Sequence, residues 1–246
     1  VVNTLFLPEL REMLADANRA ELEEFCTTLN AGRTAEFMEG LSNDEIWQVL
    51  QHATPERRAE IFAYFDEDRQ VEMLDEHETS EVAELVEEMP PDDRVDLLQE
   101  LPDQRVGEIL PLLPAEDRRD IQRLQSFPEG TAGALMTSEV AMLAENLTAR
   151  QALDELGRQA SELETIYYLY VVDDHNLLRG IVSTRQLVKS LPNPTLTLGQ
   201  MMESDVVVAH VDDDQEVVAE KVEKYNLLAI PVIDQGRQLV GIITHD

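Results

Sequence analysis

The chain has 246 residues, enough for more than one domain, and carries 51 Asp and Glu against 19 Lys and Arg, a formal net charge of −32. A surface this acidic repels nucleic acid and anionic lipid headgroups and attracts cations, which excludes nucleic-acid binding. A single cysteine, Cys26, excludes an internal disulfide framework, and no apolar run approaches the ~20 residues that span a bilayer.

The charge is uneven. Residues 1–130 hold 33 acidic and 11 basic residues, and residues 131–246 hold 18 and 8. Two compatible causes are solubility in a salt-rich cytoplasm, in keeping with only three lysines (Lys189, Lys221, Lys224), and cation sensing.

Residues 1–130 carry a short internal repeat. Apolar pairs fall at Met13-Leu14, Phe25-Cys26, Phe37-Met38, Val49-Leu50, Ile61-Phe62, Met73-Leu74, Leu85-Val86, Leu97-Leu98 and Ile109-Leu110, and Ile121 opens a tenth; every step is 12. Helix-start signals lie between them: Ser42-Asn43-Asp44-Glu45, Thr54-Pro55-Glu56, Thr79-Ser80-Glu81, Pro90-Pro91-Asp92-Asp93, Pro102-Asp103 and Pro114-Ala115-Glu116. Each unit therefore reads as one short helix and a turn, two units making a hairpin. Helices this short are marginal alone, so stacking into a solenoid-like superhelical array must stabilise them. Cys26 beside Phe25 reads as a buried structural thiol. Leu124–Thr131 (LQSFPEGT) reads as a linker.

The second half is a duplication. Ile166–Val172 reads as a strand, Asp173–Asn176 as a turn and Gly180–Ser183 as a second strand, with a helix from Thr184. At an offset of 61, Asp234, Gly241, Ile242 and Thr244 repeat Asp173, Gly180, Ile181 and Ser183. The lead-ins from Leu135 and Met201 also match, so two β-α-β-β-α units follow each other. Strands this apolar need cover on both faces, and pairing the two copies supplies it. The groove between related halves is a natural ligand site. The apolar positions Leu153, Leu156, Val218 and Val222 suggest helix faces that seek a two-fold partner.

The duplicated unit resembles a pair of CBS domains, modules that commonly bind adenine nucleotides or metal ions. Together with the acidic helical array, the junction Ala132-Gly133-Ala134-Leu135-Met136-Thr137, the segment Glu164-Thr165-Ile166-Tyr167-Tyr168 and residues 211–232 resemble the cytosolic part of the MgtE family of magnesium channels. The expected fold is multidomain α and α/β: an acidic helical superhelix over 1–130, a first CBS domain over 131–196 and a second over 197–246. The resemblance implies a connecting helix and a transmembrane domain after the second CBS domain, whose last helix would begin where this sequence stops at Asp246. It also implies a place on the cytoplasmic face of the cell membrane and a homodimer formed through the CBS domains.

What the resemblance implies about mechanism is that Mg²⁺ binds acidic residues of the helical domain and the CBS pair and holds a pore closed when intracellular Mg²⁺ is plentiful. Transferred by position, the metal ligands are Glu60, Asp92 and Asp96 of the array, the main-chain oxygen of Ala134, and Glu216, Glu223 (main chain) and Asn226 of the second CBS unit. Asn226 stands where the family can have Asp. Its amide oxygen brings no charge, so a weaker site is expected there. Mg²⁺ prefers oxygen ligands, and two carboxylates ~6 Å apart at an effective dielectric of ~20 repel by roughly 3 kcal/mol until a cation screens them. Family members also bind ATP in the CBS groove; here Tyr168 would stack on adenine, and Arg185 and Gln186 would meet phosphate and ribose. Gln186 replaces the Asp commonly used for the ribose hydroxyls, and Tyr168 equally suits a core position. The alternative reading is a soluble CBS-type adenine-nucleotide sensor whose helical array docks a protein. No enzyme is expected: His52, His77, His175, His210 and His245 show no ligand spacing, and neither a glycine-rich phosphate loop nor an activated nucleophile is present.

Overall fold

The computed structural model describes residues 6–160, 163–193 and 195–245. It divides into two compact units, one running to Met89 and continuing with Asp93–Arg119, the other made of Pro90–Asp92 and Asp120 onward.

The described part of the first half is filled by short α-helices: α1 (Leu7–Ala15), α2 (Arg19–Thr28), α3 (Ala31–Met38), α4 (Asn43–Leu50), α5 (Pro55–Phe62), α6 (Glu67–Glu76), α7 (Thr79–Glu87), α8 (Pro91–Glu100), α9 (Asp103–Ile109) and α10 (Ala115–Leu124). Their first residues are spaced by 12 throughout, the period of the apolar pairs. The cap signals act as expected. Ser42 and Glu45 close a capping box at α4, and the Thr54 hydroxyl accepts the Arg57 N–H ahead of Pro55.

Helices pack on their second neighbours, α3 on α5, α5 on α7 and α7 on α9, with α2 on α4 and α4 on α6 alongside. A helix meeting its second neighbour is the stacking of successive two-unit hairpins that the period implies. The pairs from Phe37-Met38 to Leu97-Leu98 are buried, whereas Met13 and Leu14 in the first helix are half-buried. Burying one such side chain is worth roughly 1.5–3 kcal/mol, more than short helices of this composition gain from propensity.

A second layer of order was not visible in the apolar pattern. The third residue of α5, α6 and α9 is arginine, and each reaches back to the end of the helix three places earlier. Arg57 donates to the carbonyls of Cys26 (2.9 Å) and Leu29. Arg69 donates to Glu39 (3.0 Å) and Leu41, and Arg105 to Leu74 (2.9 Å) and His77. One partner lies at the same separation of 28 each time. Terminal carbonyls that no helix can satisfy are thereby bound by a planar fork of donors.

The second unit contains α11 (Ala132–Leu135), β1 (Met142–Ala144), α12 (Ala149–Gln159), β2 (Tyr168–Val172), β3 (Leu178–Ser183) and α13 (Thr184–Ser190). It continues with α14 (Leu198–Met201), β4 (Ala209–His210), α15 (Gln215–Tyr225), β5 (Ala229–Ile233) and β6 (Leu239–Thr244). Two three-stranded sheets result, β1-β2-β3 and β4-β5-β6, each with one parallel and one antiparallel pair. The duplication holds down to register: Val171 faces Gly180 and Val232 faces Gly241, with a bulge following both.

The strand expected from Ile166 starts at Tyr168. Its partner β3 ends at Ser183, and Thr184 turns into α13, so its N–H and hydroxyl take the carbonyls of Tyr167 (3.1 Å) and Ile166 instead of extending the ladder. Asp173 and Asp234, the aligned acids, make the two hairpin turns by accepting backbone N–H groups through their side chains. Those hydrogen bonds, that from the His175 N–H foremost, hold the Asp173 carboxyl below the usual carboxylate range although burial opposes them.

The first copy buries Leu143, Ala152, Leu156, Leu169, Val171, Val182 and Leu187 in a core that Leu198 from the start of the second joins. A second cluster joins the copies, with Val140, Tyr170 and Val172 against Ala229, Leu239 and Ile242. Two of the helix positions expected to seek a partner chain, Val218 and Val222, are 3 % and 7 % exposed, Leu156 is 6 %, and Leu153 packs on the first core. That expectation is corrected. Most of the apolar stripe of each helix is covered on this chain, and the large apolar residues left exposed on α13 and α15 are Val188, Val217 and Tyr225.

Candidate functional site

The lead-in segments cross over between the copies. Met202-Glu203 lies on β3, with Ile181 and Glu203 exchanging backbone hydrogen bonds of 2.9 Å. Met136-Thr137 lies on β6, where Thr137 and Ile242 do the same at 2.9 and 3.0 Å. The junction is anchored just upstream: Ala132 and Gly133 donate to the carbonyls of Asp213 (2.8 Å) and Val211 (2.9 Å), and Gln215 donates to that of Gly130 (2.9 Å). These bonds seat α11, which carries Ala134, against α15. Burial pushes the Asp213 carboxyl up, but the Lys221 ammonium at 2.6 Å and the His210 N–H outweigh it and hold it below the usual range.

Of the expected metal ligands, Glu216, Glu223 and Asn226 all lie on α15 or at its end, with Ala134 on the adjoining α11. Glu216 and Glu223 are exposed. Glu216 sits in the first turn and Glu223 in the last, two turns apart, which at ~1.5 Å per residue is roughly 10 Å of helix rise. They cannot chelate one ion together, so each belongs to a separate position. Asn226 caps the helix with φ 50°, a left-handed conformation that Asn adopts more readily than most residues, and its N–H donates to the Glu223 carbonyl at 3.2 Å. This backbone requirement is a reason for Asn at 226 that spacing could not reveal.

Glu60 is exposed on α5 and paired with Arg57 at 2.7 Å. Asp92 and Asp96 lie four apart on α8. Asp96, with Asp93 and Glu67, lines a cavity of about 260 Å³ in the helical unit, floored by Phe65, Met89 and Leu97. Among the described residues no three His, Cys, Asp or Glu side chains gather as a metal cluster. The donors are nevertheless all oxygens, carboxylate or carbonyl, the class that suits a hard dication retaining part of its water shell. Burial first, and then the carboxylates of Glu56 and Glu87, push the Glu88 carboxyl up, with Arg94 opposing.

The cleft between the two copies is a cavity of about 210 Å³ lined by Glu164, Thr165 and Tyr167 of the first and Leu228, Thr244 and His245 of the second. Tyr167 and Leu228 occupy equivalent positions at the offset of 61, and they are 62 % and 50 % exposed. The three nucleotide-contact residues expected from sequence are not in its lining. Tyr168 is half-buried and packs on the cluster joining the copies. Gln186 accepts from the Ser183 N–H and hydroxyl, both at 2.8 Å, closing the capping box of α13. Arg185 lies in the first turn of that helix. The signal for Tyr167 was present in the repeat: the residue just before the strand recurs as Leu228, and both lie outside the ladder.

Cys26 is fully buried, and burial pushes its thiol up to about 11 against the opposing pull of Arg57, so no thiolate is available as a nucleophile. No helix among the described residues is long and apolar enough to cross a membrane.

Comparison with known proteins gives a consistent picture. Residues 29–130 match the MgtE intracellular N domain, and residues 132–193 and 198–246 match the CBS domain. A magnesium transporter MgtE of Enterococcus faecalis is 41% identical over 132 residues, 54% of this chain and 29% of that protein. That of Thermus thermophilus is 38% identical over 129 residues, 52% of this chain and 28% of that protein. The matched stretch thus spans less than a third of these curated relatives. Among solved structures, the soluble part of a magnesium transporter superposes with a TM-score of 0.90 at 33% identity, over 97% of this chain and 93% of that one. The cytosolic domain of the Mg²⁺ channel MgtE in complex with ATP gives 0.86 at 30%, over 96% and 95%.

Proposed function

The chain belongs to the MgtE family of magnesium transporters, and from that premise we propose that it is a Mg²⁺-sensing regulatory region on the cytoplasmic side of the membrane. It acts without catalysis, holding an attached transmembrane pore closed when intracellular Mg²⁺ is high. The observation that carries this reading is the charge of the helical half, where residues 1–130 hold 33 acidic against 11 basic residues. Without a dication such a surface repels itself. Bound Mg²⁺ favours the compact arrangement by its differential affinity for it. Glu60, Asp92, Asp96, Ala134, Glu216, Glu223 and Asn226 are the proposed ligand positions, within domains proposed to span 1–130, 131–196 and 197–246. The exposed Val188, Val217 and Tyr225 support a homodimer through the CBS domains.

Millimolar Mg²⁺ is expected to protect residues 124–131 from protease and to lower the hydrodynamic radius measured by sedimentation. Sodium chloride at matched ionic strength should do neither. Equal protection by both salts would remove the sensing reading and leave only screening of a highly charged surface.

Asn226→Asp tests one ligand position. Asp can adopt the left-handed cap, but its charge meets the negative end of the α15 dipole and an acidic surface. The variant should melt lower than the parent in chelator and gain more on adding Mg²⁺, since carboxylate binds the ion better than amide. An unchanged Mg²⁺-dependent gain would remove residue 226 from the ligand set.

A second reading, favoured by the cleft with its exposed Tyr167, is that the CBS pair binds an adenine nucleotide. It is compatible with the first. In its strong form, a nucleotide sensor with no attached pore, it is separated by the protease experiment repeated with ATP in place of Mg²⁺.

A further inference from the structure

We propose that Lys221 is a positioning residue for the junction: its ion pair with Asp213 latches α11 onto the second copy and so sets how much Mg²⁺ the region needs to close. The latch stands on geometry; its link to Mg²⁺ rests on the sensing reading above. The two copies seat each other's lead-in through equivalent joints. The N-caps of α12 and α15, Thr148 and Asp214, lie 66 residues apart, and at that offset the joints match bond for bond. Leu198 and Gly199 of α14 donate to the carbonyls of Leu147 and Glu145, both at 2.8 Å. Ala132 and Gly133 of α11 donate to those of Asp213 at 2.8 Å and Val211 at 2.9 Å.

What differs is the side chain on the accepting turn. In the first copy it is Leu147, which packs on the apolar core, so burial fixes that turn. In the second it is Asp213, and a carboxylate cannot be anchored that way. Lys221 takes the role, donating to the Asp213 carboxylate at 2.6 Å and to the Val208 carbonyl at 3.1 Å. The His210 N–H adds a third tie at 3.1 Å. Glu155, which holds the place of Lys221 in the first copy, pairs instead with Arg158 on its own helix. The ion pair therefore belongs to the joint that carries α11, the first element after residues 124–131. Its side chains are 28% and 25% exposed, which shields them from salt only in part. When the latch loosens, the fraction of molecules with α11 seated falls. The apparent affinity of any ligand that needs the seated state falls by that same fraction.

Hydrogen exchange at single backbone amides, read by NMR on the whole chain, tests the latch. In Lys221→Met the Ala132 and Gly133 amides should exchange at least about threefold faster, the scale of a partly exposed ion pair. Those of Leu198 and Gly199 should keep the parent's rates. Adding Asp213→Leu, which copies the first joint, should return Ala132 and Gly133 toward the parent's rates. Equal acceleration at all four amides would mean a general loss of stability, and no acceleration would mean that backbone bonds suffice; either overturns the latch. The Mg²⁺ concentration for half-maximal protease protection of residues 124–131 should rise in Lys221→Met by the same factor as the exchange, with full protection still reached. A midpoint unmoved beside faster exchange overturns the positioning role and leaves the sensing reading standing. If Mg²⁺ does not protect the parent, the sensing reading falls and the positioning role with it, while exchange still decides the latch.

Discussion

Alanine at Gly180 or at Gly241 is expected to lower stability by about 1–3 kcal/mol each, through overpacking rather than the loss of any contact. A Cβ at Gly241 would stand 2.6 Å from the Thr137 carbonyl oxygen and 2.8 Å from the Met136 sulfur. At Gly180 the distances are 2.7 Å to the Glu203 oxygen and 2.8 Å to the Met202 sulfur. The methionines can move, but the carbonyls cannot, because each belongs to a residue held to the strand by backbone hydrogen bonds in both directions. Relief therefore requires the lead-in segment to lift off, and with it the reciprocal crossing that ties the copies together. Urea unfolding followed by circular dichroism gives the measurement. Gly157→Ala is the control: that glycine lies in α12 with nothing within 4 Å of its would-be Cβ. There alanine should stabilise by up to about 1 kcal/mol through helix propensity. If Gly241→Ala unfolds at the parent's midpoint, the crossing is looser than described.

Removing Asp117 is expected to cost the helical unit about 3–5 kcal/mol, the penalty for stranding a buried cation. Arg94 is 4 % exposed, and its guanidinium is 3.0 Å from the Asp117 carboxylate. It also donates to the carbonyls of Glu87 (2.7 Å) and Met89 (2.8 Å), which supply dipoles but no compensating charge. One effect runs the other way, since Asp117 is among the acids that raise Glu88. Glu88 lies at the surface, where solvent screens such effects to well under about 1 kcal/mol, so the buried cation decides the sign. The variant Asp117→Ala should therefore be markedly less stable, while Arg94→Met combined with Asp117→Ala should recover most of the loss. Equal stability of the single and double variants would show that the pair carries no net coupling.

The two halves were legible to different depths. In the helical unit the constant spacing of apolar pairs predicted the helix starts because a buried stripe must recur at the repeat length of the stack. The arginines at the third helical position were in plain view as well. Their role was not, since Arg57, Arg69 and Arg105 bind carbonyls at the end of a helix three places earlier, and such partners are defined only once the hairpins have stacked. In the duplicated unit the offset of 61 predicted strand register and turn chemistry. It misjudged the start of β2, because a ladder ends where its partner ends, and here that partner turns into a helix at Thr184.

Composition, period and the repeat alone determined the class: an acidic stack of short helices followed by two related α/β copies. Those properties are local or periodic, so neighbouring residues suffice to specify them. Which tyrosine faces the cleft was decided by tertiary structure, because Tyr167 and Tyr168 are adjacent and only the end of the ladder sends one outward and the other into the shared core. The reason for Asn226 was likewise out of reach of spacing: it lies in the left-handed turn that closes α15. The two glycines mark the same division. Their alignment was visible in the sequence, but the carbonyl oxygens that forbid a side chain there belong to Glu203 and Thr137. Each of those residues is the lead-in of the opposite copy, remote along the chain, and it comes close only when the copies exchange these segments.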